Sequence, residues 1–277
     1  MTAPHPKEAP KLPIEGVEHV VAVGSGKGGV GKTTVAVNLA VALAAEGHRV
    51  GLLDADVYGP NVPRMMGIKE QPQARGHRIE PLEKWGVRLM SMGFLNPTDQ
   101  PILWRGPLLH RIIQQFIRDV DWGELEVLIV DLPPGTGDVQ LSLLQTVPLS
   151  GGIVVTTPSD VSLDDARKAV LMFRQVNTEV LGIVENMSYL IVPGTGQRID
   201  VFGSGGGRRV AEEMQVPLLA ELPLDPEVRL GGDTGYPVAL RDSSDPAAAP
   251  YRALARAVLA RLREKGSQRT PEIIVED

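Results

Sequence analysis

Short apolar runs alternate with helical patterns along most of the chain. Residues 19–24 (HVVAVG) form a β-branched run that ends in glycine, and residues 32–45 follow with an apolar pattern of helical length that Gly47 ends. Residues 49–53 predict a second strand, which leads into Asp54. Strand, glycine loop, helix and strand make a βαβ unit, whose crossover places the two strands parallel in one sheet.

The same alternation continues beyond this unit. Further strand-length apolar runs lie at 87–90, 126–130, 152–156 and 180–184. Apolar positions recur at helical spacing over 108–120 and over 251–262, and we expect Asp245 and Pro246 to begin the last helix. The pattern predicts an α/β protein with a mostly parallel sheet flanked by helices on both faces.

The domain organisation is simple. No repeat and no linker interrupt residues 17–264, which predicts one domain there. Four prolines among the first thirteen residues indicate a flexible leader at 1–16, and residues 265–277 are expected to form an acidic tail.

Composition narrows the function classes. The formal net charge of −6 disfavours a protein that coats nucleic acid with a basic face. The chain has no cysteine, so it supplies neither disulfides nor thiolate ligands for a metal or a cluster. Its longest apolar stretch is shorter than the ~20 residues of a membrane span, and no signal peptide is evident, so we expect a soluble, cytoplasmic protein.

Residues 23–34 (VGSGKGGVGKTT) carry the main functional signal. Gly26 to Thr33 match the phosphate-loop pattern GxxxxGK[ST], after a predicted strand and before a predicted helix. Backbone N–H groups of such a loop surround phosphates, and the helix N-terminus adds partial positive charge. We expect Lys32 to contact the β and γ phosphates and Thr33 to bind Mg²⁺.

A dinucleotide site is the alternative. Gly24, Gly26 and Gly29 match GxGxxG, and Asp54 ends the next predicted strand as such a site requires. The continuation into Lys32 and Thr33 has no role in a dinucleotide site and a specific role in a triphosphate site, so it favours a nucleoside triphosphate.

Hydrolysis requires carboxylates near the phosphates. The run VLIVDLPPGTGD predicts a buried strand that ends at Asp131, where a carboxylate would hold magnesium through water. Asp56 is our candidate for positioning the attacking water, with Asp54 nearer the metal, because both follow a strand at the expected site edge. Turn or cap aspartates are the alternative interpretation of all three.

These residues resemble the deviant Walker A family of P-loop NTPases, whose signature KGGxGK[ST] contains a second lysine, Lys27 here. The resemblance implies that two subunits face each other across two ATP molecules and that Lys27 reaches the partner's nucleotide, as an arginine finger does in other NTPases. A solvated loop charge is the alternative interpretation of Lys27.

Six segments within that superfamily pattern resemble the Mrp/ApbC group, the nucleotide-binding iron-sulfur cluster carriers, over 17–262. They are VGLLDADVYGPNVPRMMG, WRGPLLHRIIQQF, DWGELEVLIVDLPPGTGD, TTPSDVSLDDA, ENMSYL and FGSGGG. The resemblance places Asn186 near the adenine and Pro223 and Asp225 near the base. The full set of expected nucleotide-binding residues is Gly26, Lys27, Gly28, Gly29, Val30, Gly31, Lys32, Thr33, Thr34, Asn186, Pro223 and Asp225.

One departure from the group is large. Its carriers have a CxxC pair after ENMSY, whose thiolates hold a cluster between two subunits, whereas the matching positions here are Val192 and Thr195. Two hypotheses follow. The first is an ATP-hydrolysing dimer, with Mg²⁺, that serves iron-sulfur cluster assembly through apoproteins or thiol-bearing carriers. The second is a nucleotide-switched positioning or adaptor ATPase of the MinD/ParA type that binds no cluster.

Overall fold

The structure, a computed structural model, describes residues 13–95 and 106–268. Its strands are β1 Val17–Gly24, β2 Val50–Asp54, β3 Gln73–Arg75, β4 Arg78–Glu80, β5 Leu82–Lys84, β6 Val87–Ser91, β7 Leu125–Asp131, β8 Gly151–Thr156, β9 Val180–Ile191, β10 Arg198–Ile199 and β11 Leu218–Pro223. Its α-helices are α1 Lys32–Ala45, α2 Val62–Met65, α3 Gly106–Arg118, α4 Asp138–Thr146, α5 Asp160–Gln175, α6 Gly206–Glu213, α7 Pro226–Thr234 and α8 Ala249–Gln268. Short 3-10 turns lie at Met92–Leu95 and Val238–Leu240.

One large sheet organises the molecule. Its strands run in the order β10, β9, β8, β1, β7, β2, β6, β5, and β11 pairs with β9 as well. All neighbours are parallel except β5 on β6 and β10 on β9, while β3 and β4 form a separate antiparallel hairpin. The predicted mostly parallel sheet is therefore confirmed.

Helices cover both faces of this sheet. The chain moves from β1 through β2 to β5 and β6 in one direction and then returns through β7, β8 and β9 in the other, with β11 beside β9. Because crossovers between parallel strands are right-handed, α1 lies on one face and α3 to α6 lie on the opposite face. The helix after β1 thus lies on the opposite face from those after its neighbours β7 and β8, and ligands of open α/β sheets bind at the carboxyl ends of the strands at such a switch point.

The apolar pattern of α1 reflects its position in the core. Its residues from Val35 to Leu43 are buried, and the helix packs against both the sheet and α8. This packing accounts for a helix that is apolar nearly all round, as the sequence predicts. The sheet strands beneath it are buried in the same way, with Leu52, Val127 and Ile129 fully covered.

Several elements differ from the sequence prediction. The strand expected at 180–184 continues as β9 to Ile191 and turns into β10, and β11 forms an unpredicted strand beside it. Strands of two or three residues, such as β3, β4, β5 and β10, are too short to carry a periodic pattern. The last helix begins at Ala249, and Asp245 instead accepts the N–H of Ala247 in the turn before it.

Structured residues reach slightly beyond the predicted domain limits of 17 and 264 at both ends. Ile14, assigned to the leader, is 5% exposed and belongs to the core, and its carbonyl accepts the N–H of Val17. Helix α8 continues to Gln268, so the first residues of the expected tail are helical. Residues 1–12, residues 269–277, and Trp104 and Arg105 of the WRGPLL motif lie outside the described residues.

Among the described residues, no helix is both long enough and apolar enough to span a bilayer. The expected cytoplasmic location stays a prediction.

Candidate nucleotide-binding site

The phosphate loop joins β1 to α1 at the carboxyl edge of the sheet. Gly29 and Gly31 have φ angles of +80° and +81°, a conformation that favours glycine. Gly26 packs so closely on α5 that a Cβ there would lie 2.0 Å from the Asp165 carbonyl oxygen. The loop borders a cavity of about 230 Å³, called the phosphate-loop cavity below, which is lined by Ser25, Lys27, Gly28, Gly29, Gly31, Lys32, Thr33, Thr34, Asp56, Asn61 and Pro134.

Lys32 lies at the base of this cavity as the first residue of α1. Its side chain is 5% exposed, and its Nζ atom lies 2.6 Å from Oδ1 of Asp131 and 3.6 Å from Oδ2 of Asp56. The hydroxyl of Thr33 donates to Oδ2 of Asp131 at 2.8 Å. Four residues that the sequence assigns to one site therefore lie together in the structure.

Thr33 and Asp131 have the chemistry of a magnesium site. A hydroxyl and a carboxylate in direct contact are hard oxygen donors, which Mg²⁺ prefers. No group of three or more His, Asp or Glu side chains within the described ranges is arranged to hold a metal. This donor set fits a Mg²⁺ ion that phosphates and water also ligate, as is usual in triphosphate sites.

Asp54 is tied into the fold more tightly than the sequence indicates. Its carboxylate is fully buried and accepts hydrogen bonds from the hydroxyl of Ser91 at 2.8 Å, the N–H of Asp56 at 3.1 Å and the N–H of Val62 at 3.3 Å. Burial, together with the nearby Asp131 carboxylate, raises the pKa of Asp54 to about 8.

The two buried carboxylates differ in charge state. Burial raises the pKa of Asp131 too, but Lys32 and Thr33 oppose that shift. Asp131 pairs with the Lys32 ammonium, which favours its ionised form, whereas Asp54 forms no ion pair among the described residues and its pKa of about 8 keeps it protonated at neutral pH. The metal role of Asp54 stays a prediction.

Asp56 faces the cavity from the loop after β2. Its Oδ1 atom accepts the N–H groups of Tyr58 and Gly59 at 3.1 and 3.3 Å, which fixes the turn, while Oδ2 points toward Lys32. One oxygen thus shapes the loop and the other lies among the groups expected to contact the phosphates.

Lys27 lines the cavity and is half-buried. Its backbone carbonyl accepts the hydroxyl of Ser25 at 2.9 Å. Among the residues that the structure describes, no carboxylate lies within ion-pair distance of its Nζ atom. The trans role of Lys27 stays a prediction.

Asn186 is buried on β9 and contacts the phosphate loop directly. Its Nδ2 atom donates to the Val30 carbonyl at 2.9 Å, and a Cβ at Gly31 would lie 2.2 Å from that nitrogen. Asn186 therefore packs under the phosphate loop. Its expected place near the adenine stays a prediction, and the contact with the loop gives it a different structural role.

Pro223 and Asp225 lie apart from the phosphate-loop cavity. Pro223 ends β11 and pairs with Tyr189 of β9, so it lies at the same sheet edge as Asn186. Asp225 caps α7, since its Oδ1 atom accepts the N–H of Glu227 at 2.8 Å. Their assignment to the base is not tested by this geometry.

Three residues that line the phosphate-loop cavity were not predicted from the sequence: Ser25, Asn61 and Pro134. Ser25 directly precedes the phosphate-loop motif and Pro134 lies inside LPPGTGD, so proximity to the two motifs was the available signal. Asn61 lies inside VGLLDADVYGPNVPRMMG, but a polar residue in DVYGPN has the appearance of a turn residue, which hides a role at the cavity.

Val192 and Thr195 lie in the hairpin between β9 and β10. The N–H of Val192 donates to Gln197, and the N–H of Gly196 donates to Val192. Thr195 is exposed and Val192 partly so. Two side chains at these positions face solvent at a sheet edge, but neither is a thiolate.

This loop, its paired lysines and the converging carboxylates define a class of protein, the P-loop NTPases with a deviant Walker A motif. The chain belongs to the family described as ParA, NUBPL iron-transfer P-loop NTPase, whose model matches residues 16–259. The predicted resemblance to the Mrp/ApbC group is thereby confirmed.

Relatives at high identity carry consistent descriptions. The chain is 54% identical over 268 residues to the iron-sulfur cluster carrier protein of Deinococcus radiodurans, covering 95% of this chain and 75% of that protein. It is 46% identical to the mouse iron-sulfur cluster transfer protein NUBPL, covering 91% of this chain and 80% of that protein.

Solved structures agree on the fold. An ADP-bound nucleotide-binding protein from Archaeoglobus fulgidus is 37% identical, with a TM-score of 0.73 and coverage of 80% of this chain and 88% of that chain. The cell division ATPase MinD of Pyrococcus furiosus has a TM-score of 0.66 at 23% identity, with coverage of 87% and 98%, and shows the fold alone.

Proposed function

We propose that the protein is an ATP-hydrolysing dimer that acts in iron-sulfur cluster assembly or transfer and that takes thiol ligands from its partners. The observation that supports the ATPase part is the convergence of Lys32, Thr33, Asp56 and Asp131 beside the phosphate-loop cavity. These residue types in this arrangement match the needs of phosphoryl transfer, which is mainly positioning and charge stabilisation.

Each residue then has a defined task. Lys32 moves from Asp131 to the β and γ phosphates, and Thr33 with Asp131 holds Mg²⁺, which neutralises charge on the phosphates when bound. The Oδ2 atom of Asp56 orients the attacking water, since its other oxygen is occupied by the turn. Asp54 acts in its neutral form as the support of this turn, through the N–H of Asp56.

The dimer follows from Lys27. A half-buried lysine at the cavity, without a carboxylate partner among the described residues, is available to a phosphate of the facing subunit's nucleotide. Such a charge stabilises the transition state only when two subunits meet, so hydrolysis and ATP-dependent dimerisation become coupled.

The role in cluster assembly is supported by family membership and by the descriptions of its relatives as cluster carriers and transfer proteins. Because the chain has no cysteine, it cannot itself supply thiolate ligands to a cluster. Iron-sulfur apoproteins or thiol-bearing carriers are therefore the expected partners, and the cluster is cargo that a partner holds.

Anaerobic reconstitution tests this proposal. The purified protein is incubated with ferrous iron and sulfide, and bound iron and visible absorbance are measured per dimer. The expected result is no chromophore in the wild type and a chromophore in the double variant Val192→Cys with Thr195→Cys, which supplies two thiolates per subunit on the exposed hairpin. A stoichiometric, transferable cluster in the wild type would show that other ligands exist and would overturn the partner-ligand part.

The ATPase part has a separate readout. Phosphate release from Mg-ATP is measured with the wild type, alone and with a thiol-bearing carrier protein. The proposal requires turnover in at least one of these conditions that Lys32→Ala abolishes. Tight ATP binding without any turnover would indicate a nucleotide-binding protein that does not hydrolyse ATP.

A further inference from the structure

The loop after β7, residues 132–137, crosses beside the phosphate loop. The N–H of Gly135 donates to the carbonyl of Ser25 at 2.9 Å, and Pro134 lines the phosphate-loop cavity together with Lys27 and Gly28. A Cβ at Gly28 would be 3.9 Å from Cβ of Pro134, so the two loops are in near contact there. This loop directly follows Asp131 and has the position of a segment that responds to the γ-phosphate.

A buried amide on α4 holds this loop from behind. Gln140 is 5% exposed, and its Nε2 atom donates to the carbonyl oxygen of Pro134. A Cβ at Gly135 would lie 3.4 Å from Nε2, and one at Gly137 would lie 3.6 Å from Oε1. The loop therefore wraps around the amide, and the side chain is oriented by the backbone that it supports.

Ser25 connects the same loop to the signature lysine. Its hydroxyl donates to the Lys27 carbonyl at 2.9 Å, and its own carbonyl accepts the N–H of Gly135. Ser25 is 1% exposed, so these bonds form away from competing water. The chain of contacts runs from Gln140 through Pro134, Gly135 and Ser25 to the backbone of Lys27.

We propose that Gln140 is a positioning residue for hydrolysis: its buried amide fixes Pro134 and Gly135 across the phosphate-loop cavity and, through Ser25, sets the backbone of Lys27. The inference rests on the proposed ATPase function and adds a residue that touches neither nucleotide nor metal ligand. The Gln140 amide fixes the loop because it donates a buried hydrogen bond to the Pro134 carbonyl. If the loop moved, both groups would lose this hydrogen bond, which is costly for buried polar groups.

The consequence is a specific kinetic defect. Gln140 does not line the phosphate-loop cavity, and among the described residues its side chain donates to Pro134 and not to Lys32 or Thr33, so nucleotide binding is expected not to depend on it. Stabilisation of the transition state does depend on Gln140, because a shift of about 1 Å in a catalytic arrangement costs on the order of 100-fold in rate. Removal of the amide is expected to lower kcat about 10- to 100-fold and to leave the affinity for ADP within about twofold.

The experiment compares Gln140→Met, which keeps the length of the side chain, with Gln145→Met as a matched control. Gln145 lies on the same helix and is exposed. ATP turnover, ADP affinity, thermal midpoint and hydrogen exchange of the Gly135 amide are measured on all three proteins. The proposal expects a lower kcat and faster Gly135 exchange in Gln140→Met alone, with ADP affinity and exchange at Thr33 unchanged.

A second variant separates positioning from general destabilisation. Gln140→Glu keeps the size but presents a carboxylate to the Pro134 carbonyl, and it regains a donor when protonated. Its kcat relative to wild type is therefore expected to rise as the pH falls from 8 to 6, since burial raises the pKa of such a carboxyl. A pH-independent ratio with a lowered thermal midpoint would indicate a merely structural role and would overturn the inference.

The two proposals fail in distinguishable ways. If the wild type hydrolyses no ATP, the proposed function is wrong. Hydrogen exchange of the Gly135 amide in wild type and Gln140→Met, both with Mg-ADP, then still tests whether Gln140 holds the loop. If the wild type turns over and Gln140→Met does so at the same rate with unchanged Gly135 exchange, only the positioning inference is wrong.

Discussion

Lys32 and Asp131 form a buried ion pair, with Nζ and Oδ1 2.6 Å apart at the base of the phosphate-loop cavity. The ammonium of the phosphate loop is thus held by the same carboxylate that contacts the hydroxyl of Thr33. A bound triphosphate competes with Asp131 for this ammonium. Nucleotide binding therefore rearranges an existing charge network, and the consequences can be tested residue by residue.

Lys32→Ala is expected to abolish measurable ATP binding, because the γ and β phosphates lose their only buried cation among the described residues. Each charge-assisted hydrogen bond of this kind is worth up to about 100-fold, and Lys32 is expected to make one to each of the two phosphates. Titration calorimetry with Mg-ATP provides the measurement, and Lys69→Ala, an exposed lysine after α2, is the control. Micromolar affinity retained in Lys32→Ala would remove the phosphate-loop assignment.

Lys27→Ala is expected to spare nucleotide binding and to lose both hydrolysis and ATP-induced dimerisation. Its side chain lines the cavity without an ion-pair partner among the described residues, so its charge is available in trans. An arginine finger supplies about 10³-fold or more in rate, and a similar loss is expected here. Light scattering with ATP and with ADP gives the mass, and turnover is measured in parallel. Normal dimerisation and normal turnover in the variant would contradict the trans role.

Asp56→Ala is expected to bind ATP and to accumulate as the ATP-bound dimer, because the water-orienting carboxylate is removed while Lys32 remains. Asp56→Asn is the informative companion, since its amide oxygen still accepts the N–H groups of Tyr58 and Gly59 that shape the turn. Both variants should fail to release phosphate in single-turnover assays. Ordinary turnover in Asp56→Asn would move the water-positioning role to another residue.

Long, periodic elements were predictable from the sequence, and short or edge elements were not. The α1 helix was predicted with its observed limits, and the strands β1, β2 and β6 to β8 were predicted to within about two residues. In contrast, β10 and β11 lie at the edge beside β9 and owe their existence to backbone pairing with that strand. Pairing with a strand that is distant in sequence does not require a periodic apolar pattern, so such short strands have no local sequence signal.

The site was predictable where residue type and spacing determine function. Lys32, Thr33, Asp56 and Asp131 converge because the carboxyl ends of parallel strands share one sheet edge. The contacts of Asn186 and Gln140 could not be predicted, because each depends on which backbone carbonyl faces an amide across distant parts of the chain.

Asn186→Ala tests which of two roles this residue has. If its main role is to hold the Val30 carbonyl, the variant should weaken binding of ATP, GTP and inorganic triphosphate by a similar factor, on the order of tenfold for one lost buried hydrogen bond. If it instead reads the adenine, ATP affinity should fall and triphosphate affinity should not. Competition binding with the three ligands distinguishes these outcomes, and equal weakening is the result expected from the contact with the loop.

The raised pKa of Asp54 predicts a pH dependence of stability with a definite sign. The folded state keeps a proton on Asp54 up to about pH 8, whereas the unfolded chain releases it near the ordinary aspartate pKa of 3.8. The folded state therefore binds more protons between these values, and its free energy of unfolding falls as the pH rises through that window, by up to about 1.4 kcal/mol per pH unit. The stability that the protonated Asp54 contributes is fully present below pH 3.8 and is lost above about pH 8.

Denaturant unfolding of wild type and Asp54→Asn at pH 5, 6, 7 and 8, in EDTA, measures this slope. In Asp54→Asn the amide accepts one hydrogen bond fewer from Ser91, Val62 or Asp56 at every pH. This loss lowers the free energy of unfolding of the variant by the same amount at each pH. The prediction is therefore tested by the difference between the two proteins in the slope of that free energy against pH. The wild type should lose stability relative to Asp54→Asn as the pH rises. Parallel curves would mean that folding does not raise the pKa of Asp54, and the neutral form of Asp54 assigned above would then be wrong.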